Sequence, residues 1–264
     1  MSRSALKNVI RLLDDVANDD VAVEESFIRD LKRSIELDAD KGGRLPSKTY
    51  KPSGMNCIRQ SYYQILGKQP DESKSSYTLV GICNSGTDIH VRVQSSIAGM
   101  IDNNMDCEYV NVADFVKQRN LDYLNIVSQN GMETKLYHKK LNLSFMCDGI
   151  IKYKGHYYIL ELKTESSYKF MNRKDVDPSH FNQGIAYSLA FGLNDVIFVY
   201  INRDIFDMKS YMFTVTDNMR EGLIEYIEEC DAYVSRQIAP PKPKDIARKT
   251  CQYCSYKTYC QKDS

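Results

Sequence analysis

Apolar positions along this chain recur with two periods, and the switches between them predict its elements. Leu6, Val9, Ile10 and Leu13, then Phe27, Leu31 and Ile35, return every three to four residues and predict two helices within residues 5–38. Residues 40–56 are rich in Lys, Gly and Pro and predict a loop. A short helix over 58–66 ends at Gly67, a residue suited to the left-handed turn that closes a helix. After a polar stretch over 67–78, Ile89, Val93 and Ile97 mark one face of a helix over 84–100, with His90 and Gln94 in a line beside them. Alternating patterns predict strands over 133–139, 142–152 and 156–164. A helix over 178–191 follows, with Pro178 near its start, then strands over 195–202 and 209–215. Thr216 is placed to cap a last helix that runs to Arg236 and turns Met219, Leu223, Ile227 and Val234 inward. From Ala239 the chain changes to PPKPK and then a basic, Cys-rich tail. Helices, strands, then helix, strand, strand and helix predict an α/β or α+β domain around a mixed central sheet, and the α/β class with helices flanking the sheet is the expectation.

One stretch sets apolar and charged residues against each other: CDGIIKYKGHYYILELK, residues 147–163. A two-residue turn at Lys154-Gly155 would pair its two arms so that Asp148 sits across from Glu161. Lys163 then lies two residues further on the same face. Phe145, Cys147, Ile151, Leu160 and Leu162 fall on the opposite face and are core material. Two carboxylates this close repel unless something neutralises them. A divalent cation does so, and oxygen ligands favour Mg²⁺ or Mn²⁺. Such a site can polarise a phosphodiester and activate water, with Lys163 beside it. An exposed hairpin face with an ordinary Asp, Glu and Lys fits the same spacing.

Composition narrows the classes. The chain has 264 residues, 42% of them apolar, enough for one sizeable domain with a small appendage. Its 35 basic and 35 acidic side chains balance, so a nucleic-acid partner would need a local basic patch. The charged N-terminus does not resemble a signal peptide, and no apolar run approaches the ~20 residues of a membrane span. An intracellular, cytoplasmic protein without a membrane partner is expected. Its eight Cys then read as metal ligands or buried thiols rather than disulfides.

Asp148 followed by Glu161-Leu162-Lys163 resembles the PD-(D/E)XK nuclease signature, with Cys147 where Pro is usual. His90 in GTDIHVRVQ and the pair Gln183 and Tyr187 in NQGIAY resemble, in family order, the RecB-like branch. The tail CQYCSYKTYC supplies Cys251, Cys254 and Cys260, and Cys57 stands at a predicted loop-to-helix junction. One Cys near the start and three at the end resemble the iron–sulfur RecB-like nucleases, which include the CRISPR-adaptation exonucleases and the AddB nuclease domain. The resemblance implies a restriction-endonuclease-like core over 46–238, with an N-terminal helical segment over 1–45. It also implies a cluster-binding C-terminal segment over 239–264 that works with Cys57.

That resemblance implies site roles as well. Asp148, Glu161, the Leu162 carbonyl and His90 would hold Mg²⁺ or Mn²⁺. Lys163 would position water, and Gln183 and Tyr187 would support the site. The four Cys would hold a [4Fe–4S] cluster, with zinc as the other occupant their spacing allows. The implied activity is a metal-dependent DNA exonuclease acting on single strands or free ends in recombination, repair or CRISPR adaptation. The alternative is a non-catalytic DNA-end-binding or assembly subunit. A homo-oligomer or protein partners from those pathways fit either reading. Lys242, Lys244, Arg248, Lys249, Lys257 and Lys262, interleaved with Tyr253, Tyr256 and Tyr259, offer charge and stacking faces to a single strand. The same tyrosines could pack around the cluster instead. A loop with Lys169, Arg173 and Lys174 is a second candidate contact.

Overall fold

The computed structural model describes residues 22–41, 46–71, 76–244, 246 and 248–263. The chain divides into two compact units, one of residues 1–43 with 73–83, the other of residues 44–72 with 84–264. The described part of the first unit centres on helix α1 (Val23–Asp40), which corresponds to the second predicted helix and buries none of its residues. The predicted helix carrying Leu6 and Leu13 lies outside the described residues. So do the side chains of Arg248 and Lys249.

The second unit is built on two sheets. Its elements are α2 (Ile58–Ile65), α3 (Tyr77–Ala98, from residue 84 onward), β1 (Cys107–Val110), α4 (Val112–Gln118), β2 (Leu124–Asn130) and β3 (Glu133–His138). There follow β4 (Leu143–Cys147), β5 (Gly149–Tyr153), β6 (His156–Glu165), α5 (Ser167–Asn172), α6 (Phe181–Phe191), β7 (Asp195–Asn202) and β8 (Met208–Thr214). The helices α7 (Asp217–Arg236), α8 (Arg248–Gln252) and α9 (Lys257–Lys262) end it. One sheet has five strands in the order β1-β5-β6-β7-β8; the other has three, β2-β3-β4. Only β6 and β7 run parallel within the larger sheet, so it is mixed. The parallel pair needs a crossover, and α6 lies on it.

Both faces of the five-stranded sheet are covered. Ile150, Ile159, Val196 and Phe198 belong to the core that includes Ile185 and Ala186 of α6 and Leu223 and Ile227 of α7. Ile151, Leu160 and Leu162 point the other way, into a second core with Val93, Ile89 and Ile97 of α3. Burial on both faces explains the unbroken apolar run of β7, which alternation alone would not produce. Helix α6 sits close on its strands because residue 184 is Gly: a Cβ there would lie 3.0 Å from Phe213 and 3.3 Å from Phe198.

The structure departs from the pattern-based elements in four places. Helix α3 begins at Tyr77 rather than at residue 84. Strand 142–152 is two strands, β4 and β5, separated at Asp148 and assigned to different sheets. Met219 is 39% exposed, because it lies on the first turn of α7 beyond the reach of the core that takes Leu223 and Ile227. The elements β1, α4, β2, α5, α8 and α9 are not visible in the pattern, and α5 takes up Lys169 from the segment expected to be a loop. In β2 every residue after Leu124 is exposed, so no alternation marks it, and α4 is a short helix capped by the Asn111 side chain, which accepts from the amides of Ala113 and Asp114.

Candidate metal centre and its supports

The hairpin forms at the expected turn. Lys154 and Gly155 adopt φ of 49° and 82°, and the strands pair from Tyr153 with His156 down to Gly149 with Leu160. Positive φ at both positions is what a tight two-residue hairpin requires. The expected cross-strand pair of Asp148 and Glu161 is not made, because the ladder ends one residue earlier. On its other side, the pairing of β3 with β4 ends at Thr134 with Cys147. Asp148 is therefore the single residue between two sheets. Continued by one step, one register would place it beside Glu161 and the other beside Glu133.

Leaving the ladder frees the backbone of Leu162. Hydrogen-bonded pairs alternate along an antiparallel hairpin, so Leu162 would have bonded Cys147 next. Instead its N–H donates to Asp148 Oδ2 at 2.7 Å. The N–H and C=O of one strand residue point to the same edge, so the Leu162 carbonyl faces the same gap. Helix α3 holds this arrangement from above. Gln94 Nε2 donates to the Asp148 carbonyl at 2.9 Å, and one turn earlier His90 Nδ1 lies 3.6 Å from Asp148 Oδ1.

The charged face is not the exposed hairpin face that the sequence allowed. Asp148 is 7% exposed and Glu161 2%, and Ile150 and Ile159 on that face are fully buried. The apolar face is divided too: Phe145 and Cys147 join the core of α6 and α7, while Ile151, Leu160 and Leu162 join that of α3.

From Glu161 a line of hydrogen bonds runs to α6. Lys163 Nζ donates to Glu161 Oε1 at 2.5 Å and to Gln183 Oε1 at 2.9 Å. Gln183 Nε2 donates to the Tyr187 hydroxyl at 2.8 Å, which donates to the Met146 carbonyl at 2.5 Å. Gln183 and Tyr187 reach the same line because they are four residues apart on one helix face. Glu161 Oε2 is buried with no hydrogen-bond partner among the described residues. Burial, and then the charge of Asp148, push the Glu161 carboxyl up to about 8, with Lys163 opposing the shift. Burial and the nearby charge of Lys163 lower His180 to about 4.

Glu133 is the residue that pattern reading passed over. One ligand atom each from His90, Glu133 and Asp148 lie within 4.8 Å of one another. Burial and Asp148 raise the Glu133 carboxyl above its ordinary value. Its strand was expected; its proximity follows from the β3–β4 register, which only the intervening loop decides. Buried carboxylates, an orphaned oxygen, a free-edged carbonyl and an imidazole are the donors a divalent cation takes. The donor set fits Mg²⁺, and the imidazole tilts it towards Mn²⁺.

Cys57, Cys251, Cys254 and Cys260 line one cavity of about 270 Å³. Cys57 precedes α2, and the tail is folded back onto it. Arg59 donates to the carbonyls of Pro240 at 2.7 Å and Asp263 at 3.2 Å, and Tyr63 donates to the Asp263 carboxylate at 2.8 Å. Burial raises the Cys57 and Cys254 thiols, and the neighbouring Cys charges raise them further. Thiolates that repel one another in a half-buried cavity fit a metal or cluster, which supplies the missing positive charge.

Two expected DNA-contact groups are used elsewhere. Tyr256 is buried and packs with Tyr259 against Tyr63, leaving Tyr253 as the exposed ring of the three. Arg173 bonds both oxygens of Glu165, at 2.8 and 2.5 Å, and also Asp177, while lying 4.1 Å over the Tyr200 ring. Lys169 and Lys174 remain exposed.

No family model matches the chain, and no curated protein does. Among solved structures it is similar to SSO0001, with a TM-score of 0.48 and 17% identity, covering 90% of this chain and 98% of that one. It is also similar to the alkaline exonuclease LHK-Exo from Laribacter hongkongensis, with a TM-score of 0.45 and 11% identity over 73% of this chain and 90% of that one. The complex of LHK-Exo with dAMP gives a TM-score of 0.44 and 11% identity over 72% and 89%. Among the described residues no helix is long and apolar enough to cross a membrane.

Proposed function

We propose that this chain is a metal-dependent DNA exonuclease of the iron–sulfur RecB-like type, acting on single strands or free ends. The observation that carries the reading is the buried junction of Asp148, Glu161 and Lys163, with Glu161 Oε2 unpartnered and the Leu162 carbonyl turned to the same gap. Two buried carboxyls share one ammonium, Lys163, so a divalent cation would supply the charge that Asp148 and Glu161 still lack when both ionise.

In this reading Asp148, Glu161, the Leu162 carbonyl and His90 hold Mg²⁺ or Mn²⁺. The bound cation supplies Lewis acidity to a phosphodiester and lowers the pKa of water beside it. Lys163, fixed between Glu161 and Gln183, orients the attacking water and offsets charge that develops on the phosphate oxygens. Gln183 and Tyr187 keep the Lys163 ammonium in place by anchoring it to the β4 backbone. Cys57, Cys251, Cys254 and Cys260 hold a [4Fe–4S] cluster with a structural task, since hydrolysis moves no electrons. That chemistry suits a reducing, intracellular compartment. Recombination, repair and CRISPR adaptation are the pathways the resemblance offers.

The test is hydrolysis of end-labelled single- and double-stranded DNA, with and without Mn²⁺, beside closed circular DNA. Mn²⁺-dependent release of nucleotides from ends, lost in Lys163→Ala, is the expected result. Metal-independent cleavage, or full activity in Lys163→Ala, refutes the assignment. End binding without hydrolysis by the wild type would favour the non-catalytic alternative.

A further inference from the structure

Glu133 has no part in the ligand set just described, yet its position gives it one. It begins β3 in the three-stranded sheet, whereas Glu161 and Leu162 belong to the five-stranded sheet. Asp148 is the covalent link between them, standing between β4 and β5. A ligand atom of Glu133 lies within 4.8 Å of one on His90 and one on Asp148. The Glu133 carboxylate has no hydrogen bond or ion pair among the described residues. In the other sheet Glu161 Oε2 is buried and also unpartnered, although Glu161 is not one of the three residues whose ligand atoms cluster. Unpaired acceptors therefore flank Asp148 in both sheets.

We infer that Glu133 is a further ligand of the divalent cation, and that cation binding thereby clamps the three-stranded sheet to the five-stranded one. The inference rests on the nuclease reading for the existence of that cation and goes beyond it in assigning a conformational consequence. The end of the small sheet near Glu133 is where such a clamp would act. Residues 125–130 of β2 are all exposed, so the buried apolar surface at that end comes from Met132 of the turn, which lies beside Gly149 of β5, and from Leu136 of β3. Segments with few buried contacts open locally at low cost. A ligand that binds only the closed form suppresses opening by mass action, up to about 100-fold at a concentration 100 times its dissociation constant. The clamp would couple metal loading to the order of β2–β4, whose strand β4 carries the Met146 carbonyl that receives Tyr187.

The experiment compares the full-length wild type, Glu133→Gln, Glu133→Asp and Glu161→Gln. Mn²⁺ affinity is read from the paramagnetic signal of free Mn²⁺, and amide hydrogen exchange of β2–β4 is followed with and without Mn²⁺. The wild type should bind Mn²⁺ and slow exchange in β3. Glu133→Gln should weaken Mn²⁺ binding at least about 10-fold and lose the Mn²⁺-dependent protection, and Glu133→Asp should recover part of both. Wild-type affinity in Glu133→Gln, with Glu161→Gln impaired, overturns the Glu133 assignment and leaves the nuclease reading intact. Weakened affinity with undiminished protection of β3 at saturating Mn²⁺ overturns the clamp. Unchanged affinity in Glu161→Gln overturns the cation site on which both readings stand.

Discussion

Glu161→Gln should make the metal-free protein more stable at neutral pH while removing an oxygen from the proposed cation site. Glu161 is 2% exposed, and burial beside Asp148 raises its carboxyl from 4.5 to about 8. A carboxyl raised on folding contributes fully below its unfolded value and loses that contribution as pH rises through its folded value. The relevant window is therefore about pH 4.5 to 8. At pH 7 the unfolded chain is ionised at this position and the folded one is mostly not. At 1.36 kcal/mol per pKa unit, the burden on the folded state is about 3 kcal/mol at pH 7 and under about 1 kcal/mol at pH 5. Gln keeps the shape and an oxygen for Lys163 but cannot ionise. Urea unfolding of wild type and variant in a chelator, at pH 5, 6, 7 and 8, should show the variant gaining on the wild type as pH rises, by about 3 kcal/mol at pH 7. Added Mn²⁺ should then stabilise the wild type and not the variant. A difference between the two proteins that stays flat from pH 5 to 8 would refute the reasoning.

Two further expectations follow from the supports of the site. Arg173→Ala leaves Glu165, which is 5% exposed, without its bidentate partner. It should lower stability by about 3–5 kcal/mol in thermal or urea unfolding, the cost of a buried carboxylate left alone; a loss below about 1 kcal/mol would show that solvent reaches the pair. Cys57→Ser removes one of the four thiols that line the cavity of the proposed cluster. Absorbance near ~400 nm should be lost with it; metal analysis that finds only zinc in the wild type would overturn the cluster while retaining the site.

Turn chemistry and helical spacing were enough to set the register of the hairpin and the helix faces that meet it. Lys154-Gly155 could be placed because few residue pairs tolerate positive φ at both turn positions. His90 with Gln94, and Gln183 with Tyr187, could be paired because four residues make about one helical turn. These are local rules, and the side chains that obey them carry their own evidence.

Tertiary structure alone decided what happens at Asp148. Asp148-Gly149 is a turn-prone pair inside 142–152, but it does not say which sheet either half joins; the chain changes sheets there because two ladders with different partners meet at one strand. That junction frees Leu162, buries Asp148 and Glu161 on a face that spacing alone leaves open to water, and brings in Glu133 from a strand with no motif of its own. It also decided which basic and aromatic residues stay available. Arg173 and Tyr256 look alike with Lys174 and Tyr253 in sequence, and differ only in whether a buried partner lies within reach. Burial and pairing between distant segments are properties of the packed chain, so the residues that depend on them could not be sorted by spacing.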